Sequence, residues 1–113
     1  MPSPGSVLTD EAIACIESDD KATNAICVPD FDRARVAAHD ADEARARGED
    51  RPLLGIPVTV KESYNVAGLP TTWGVPGLET DVPAEDALAV SRVTAAGAVV
   101  LGKINVPFML GDL

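Results

Sequence analysis

The sequence predicts an α/β fold, and three observations carry that prediction. Two short runs, 56–60 and 98–101, are apolar almost throughout rather than alternating, as strands covered on both faces are. Between them lie a long connection and a helix-length segment, and that order implies two parallel strands joined by a right-handed crossover. Upstream, alanines recur at the spacing of one helix face.

Residues 1–7, "MPSPGSV", read as a flexible arm. Thr9 is placed to cap a short helix, with Asp10 and Glu11 in its first turn and Ile13 and Ile16 on a shared face. Asp30 is placed to cap a second helix over 31–47. Its Ala34, Ala37, Ala38 and Ala41 fall at i, i+3, i+4 and i+7, a face that lets another backbone approach closely. Glu43 and Arg47 sit at i, i+4 on the opposite face, and Gly48 supplies the stop. The stretch 8–48 is thus expected to be helical, and "EDRP" to link it to an α/β portion over 55–113.

That portion opens on the strand 56–60, which ends at Lys61. The connection 62–85 contains Pro70, Pro76 and Pro83. Asp86 is placed to cap a third helix over 87–96, Gly97 ends it, and 98–101 is the second buried strand. A connection this long is uncommon in a compact domain unless it is functional or held from elsewhere. Two parallel strands also leave edges and faces bare. The chain is therefore expected to be one partial domain of something larger.

Composition narrows the function. The 113 residues suit one small domain, and 46% hydrophobic content suffices for a core built mainly of Ala, Val, Leu and Ile. A net charge of −9 argues against nucleic acid and against anionic membrane surfaces. No apolar run approaches the roughly 18 residues of a membrane helix, and the N-terminus lacks the pattern of a secretory signal. The expected location is the cytoplasm. Cys15, Cys27 and His39 form no metal pattern, so neither metal nor cofactor is expected.

Lys61 is the first candidate for chemistry. A strand-end lysine that reaches out to water is several times the commoner outcome on composition alone. The alternative is a lysine at the carboxyl end of a central strand, where ligand sites of open α/β sheets lie. Burial there would lower its pKa and let it take a proton from a hydroxyl. Glu62 follows, but on an extended chain it points the other way. "GAVVLGKI", 97–104, has the spacing of a phosphate-binding loop; Ile104 stands where that motif needs Ser or Thr, and its middle is a core strand. His39 sits mid-helix, where a surface histidine is commoner than a general base, and no serine lies in a nucleophile elbow. "GLPTTWG", 68–74, reads equally as a pocket wall and as turn chemistry at Gly68 and Gly74.

"RPLLGIPVTVKESYNVAGLPTTWG" and then "DALAVSRVTAAGAVVLGKINVP" resemble the amidase signature family over about residues 24–113. Ile104 and Phe108 depart from the Thr and Glu of many members, which bears on substrate preference more than on chemistry. The resemblance implies an α/β/α sandwich around a mixed sheet and a Ser-cisSer-Lys triad that hydrolyses amides. Lys61 matches the family's general-base lysine. Met109 and Leu110 lie where some members line the acyl pocket. The motif carrying both triad serines is missing here, so the chain is expected to be an N-terminal portion, inactive alone. The partners expected are a small-molecule amide and either the remainder of the same protein or a second copy. The competing reading is a non-catalytic α/β module for binding or assembly.

Overall fold

The computed structural model describes residues 4–111. Helix α1 runs Gly5–Thr23, strand β1 Ile26–Pro29, helix α2 Phe31–Ala46, strand β2 Pro57–Lys61, helix α3 Leu88–Ala95 and strand β3 Val99–Ile104, and a 3₁₀ turn closes at Phe108–Leu110. The strand order is β1-β3-β2, with β3 parallel to β2 and antiparallel to β1. The sheet is mixed, as the resemblance implies. The parallel pair matches the reading of the two apolar runs. β1 falls in a stretch expected to be helical; its four residues are too few to show a period, and its pairing partner lies far downstream.

The helix starts also differ from expectation. α1 begins at Gly5, so residues 5–7 are helix rather than arm, and residues 1–3 lie outside the described residues. Thr9 is no cap: it sits inside the helix and is completely buried. The free amides of the first turn are served from another helix. Asp42 of α2 accepts from the Gly5 amide at 2.5 Å, the Ser6 amide at 3.2 Å and the Ser6 hydroxyl at 2.5 Å. Asp30 occupies the N-cap position of α2 but pairs with Arg33 instead, at 2.5 Å. Asp86 lies two residues ahead of α3 and accepts from the Ala67 amide at 2.8 Å. The Glu43 and Arg47 side chains do not pair, although the Arg47 amide donates to the Glu43 carbonyl at 3.1 Å. The helix ends at Arg47, whose side chain turns to Glu49 at 2.9 Å, while Glu43 lies 3.2 Å from His39.

The alanine face does what its spacing predicts. Ala34 and Ala38 pack with Ile13 of α1 and with Val99 and Leu101 of β3, and Ala37 covers the same cluster from its margin. Ala41 and Ala44 close on Leu54 just ahead of β2. A third cluster, Val66, Leu69 and Val90, roots the long connection against α3, with Val28 and Val60 beside it. β3 is buried at four of its six positions, as the central strand of a covered sheet should be. β2 is not covered on both faces as expected. It lies at the sheet edge, only partly buried, and Ile56 just before it is 41% exposed. The radius of gyration is 14.7 Å, against roughly 13 Å for a compact domain of this length. Among the described residues, no helix is long and apolar enough to cross a membrane.

Two contacts between backbones fix the layers. A Cβ on Gly5 would lie 2.9 Å from the Gly55 Cα, which binds the start of α1 to the turn before β2. Gly97 has φ +104, and a Cβ there would lie 2.5 Å from the Leu54 Cα. Gly97→Ala therefore combines backbone strain with overpacking and should cost roughly 2–4 kcal/mol. An unchanged urea midpoint for that variant would refute the contact. The Asp42 cap sets a pH dependence. Burial raises its pKa, but the Ser6 hydroxyl and amide, the Gly5 amide and the Arg45 charge together outweigh it, and the net direction is down. A carboxylate lowered on folding adds stability above its unfolded value of about 3.9 and loses it as pH falls through the folded value. Asp42→Asn should thus flatten the acid limb of the stability curve, and an identical acid limb in both proteins would remove the cap from the account.

Candidate functional site

The site is built where β2 ends. Lys61 pairs with Ile104 in the parallel ladder and Val60 pairs with Lys103, so the strand is held to β3 up to its last residue. The Glu62 amide extends the ladder by donating to the Ile104 carbonyl at 3.0 Å. Side chains alternate along a strand, which sends Lys61 to one side of the sheet and Glu62 to the other. Lys61 is exposed and Glu62 is buried, only 4% accessible. Lys61 opens on a groove of about 420 Å³ that Val58, Val60, Tyr64, Val93 and Val100 also line. The buried surroundings anticipated for a proton-accepting lysine are not present around Lys61 among the described residues.

Burial falls on a different lysine. Lys103 of β3 is completely inaccessible. Its Nζ donates to the Pro70 carbonyl at 2.7 Å, to the Thr71 hydroxyl at 2.7 Å and to the Glu62 carbonyl at 3.2 Å. An ammonium has three protons to give, and all three acceptors belong to the connection after β2. Burial pushes its pKa below the ordinary lysine value, and the charge of Glu62 and then that of Cys27 push back. Glu62 orders the next stretch of the same connection. Its carboxylate accepts from the Thr72 hydroxyl at 2.6 Å, the Thr72 amide at 2.8 Å and the Trp73 amide at 3.0 Å. The "TTW" segment is thus held by one buried cation and one buried anion.

Gly68 and Gly74 take φ of 85° and 72°, the turn chemistry expected of them. Trp73 also lies in the left-handed region, at φ 55°, and stands 48% exposed. Met109 donates its amide to the Trp73 carbonyl at 2.7 Å. Met109 and Leu110 have φ of 51° and 60°, and the Met109 side chain is 61% exposed. The structure brings Met109 to the Trp73 loop while the Leu110 amide donates to the Pro107 carbonyl at 2.9 Å, and neither residue lines the groove beside Lys61.

"GAVVLG" is helix end and core strand, as the rejection of a phosphate loop requires. His39 is a helix-surface residue and both thiols are free. Lys103 and Glu62 are the two residues that sequence reasoning passed over as structural elements. A signal existed: "VVLGKI" places a lysine inside an apolar strand, where a charge needs dedicated partners.

Residues 7–111 match the Amidase family. The chain is 44% identical over 109 residues to a glutamyl-tRNA(Gln) amidotransferase subunit of Anaeromyxobacter sp. (strain K), covering 95% of this chain and 22% of that protein. It is 43% identical over 98 residues to the corresponding protein of Roseiflexus sp. (strain RS-1), covering 87% and 20%. The native peptide amidase of Stenotrophomonas maltophilia superposes with a TM-score of 0.88 at 33% identity, over 94% of this chain and 22% of that one. The chain therefore spans about a fifth of the length of these relatives. With the match running through α1, the sheet and the lysine strand, this chain belongs to the Amidase family.

Proposed function

We propose that the chain contributes the general-base lysine to a protein that hydrolyses small-molecule amides. One observation carries the reading: in an Amidase-family chain, Lys61 stands at the carboxyl end of a parallel strand, beside a groove. The resemblance supplies the remaining groups. A serine on a cis peptide passes the proton of the nucleophilic serine to the Lys61 Nζ. The serine Oγ bonds to the amide carbon, and backbone amides of a Gly-rich loop hold the oxyanion. The C–N bond breaks, the nitrogen leaves with a proton as ammonia or an amine, and water cleaves the acyl-enzyme to regenerate the serine.

The same reading makes these 113 residues inactive alone. Ser3, Ser6, Ser18, Ser63 and Ser91 lie outside any Gly-rich Ser-Ser setting. The apolar surroundings that tune a catalytic lysine have to come from segments packed over the bare side of β2. Met109 and Leu110 are assigned to the acyl side of the pocket, on the strength of the resemblance.

The purified chain should hydrolyse simple aromatic and aliphatic amides no faster than buffer does, and turnover by it would contradict the split assignment. In the longer protein containing this chain, Lys61→Ala should lower kcat/KM by about 10²–10⁴ and abolish labelling by a fluorophosphonate probe. Labelling of that variant at the normal rate would remove Lys61 from the mechanism.

A further inference from the structure

We propose that Lys103 is a positioning residue for Lys61: its buried ammonium replaces the secondary structure that the connection after β2 lacks, and so fixes the backbone on which Lys61 stands. The inference rests on Lys61 being the base. Between Lys61 and Leu88 the chain forms neither helix nor strand. A segment of that kind is held by its own turn bonds, such as Thr71 to Asp81 and Gly68 to Pro83, and by the bonds that tie it to the sheet. Lys103 makes three of them, to acceptors at 62, 70 and 71. These are the two ends of the loop that leaves Lys61 and returns at the "TTW" turn. Glu62, bonded at 72 and 73, locks the returning end.

The choice of residue supports a role beyond filling space. A fully buried ammonium carries a heavy desolvation penalty, and an apolar side chain of similar length would fill the same volume without it. Among the described residues no carboxylate accepts a bond from the Nζ; all three acceptors are neutral loop atoms. The charge therefore serves to hold loop atoms. The ladder places it under the site, since Val60 pairs with Lys103 while Lys61 pairs with Ile104. The two lysines sit at adjacent ladder positions and point to opposite sides, one gripping the loop and the other free to react.

The experiment has two arms. In the longer protein containing this chain, amide exchange is compared for wild type, Lys103→Met, Thr71→Val and Thr71→Ser. Lys103→Met should lose at least about tenfold protection at Thr72 and Trp73 relative to Ala38 of α2. Thr71→Val should lose part of it, and Thr71→Ser, which keeps the hydroxyl, should lose none. Equal protection at Thr72 and Trp73 in wild type and Thr71→Val overturns the proposal even if Lys103→Met fails to fold. In the longer protein, folded Lys103→Met should drop kcat by about 10²-fold with KM within about threefold, as misplacement of a reacting group does. An unchanged kcat, or a loss confined to KM, overturns positioning. Activity retained by Lys61→Ala would sink the catalytic reading instead, and the exchange arm would still report on the loop.

Discussion

A lysine with no access to water ties the loop after β2 to the central strand. Everything near the end of β2 is arranged around Lys103: the ladder that delivers it, the loop that supplies its three acceptors, and the Glu62 carboxylate that orders the next turn. The buried Nζ cannot be moved cheaply, because a shift of the loop would leave it short of its acceptors. The loop therefore has one good arrangement. A segment rich in proline and glycine, cross-linked within itself by turn bonds such as Thr71 to Asp81 and Gly68 to Pro83, is tied to the sheet by a side chain from the central strand.

The rest of the fold supplies the platform. The alanine stripe of α2 brings that helix down on β3 with little side-chain bulk between them, and Ile13 of α1 fills the remaining space. Close backbone approaches at Gly5 with Gly55, and at Gly97 with Leu54, hold the turn that leads into β2 from two sides. β2 is consequently well fixed where it begins and where it ends, and poorly covered in between. That pattern suits a strand whose outer side is a surface for other groups.

Much of this was legible in the sequence. Local signals located α2, α3 and the parallel pair β2 and β3: a periodic face of alanines, a glycine at a helix end, and two apolar runs. What escaped was non-local. The α1 start depends on Asp42, 37 residues from the Gly5 amide it serves. β1 is too short to carry a period and exists because β3 offers it an edge. At the site, Lys61 was legible as a candidate from its place at a strand end and from the family resemblance, and its exposure agrees with the commoner reading of a strand-end lysine that reaches out to water. Lys103 looked like part of a core strand, and only the folded loop shows what a lysine does there.

Synthesis runs from the N-terminus, and β3 is the last of these three strands to be made. Both β1 and β2 pair with it and not with each other. A nascent chain that has not reached Ile104 can form helices α1 and α2, and their mutual cap, but has no complete sheet to lay them on. β2 thus has no strand to pair with until β3 is made, and β3 brings both the ladder and the Lys103 side chain.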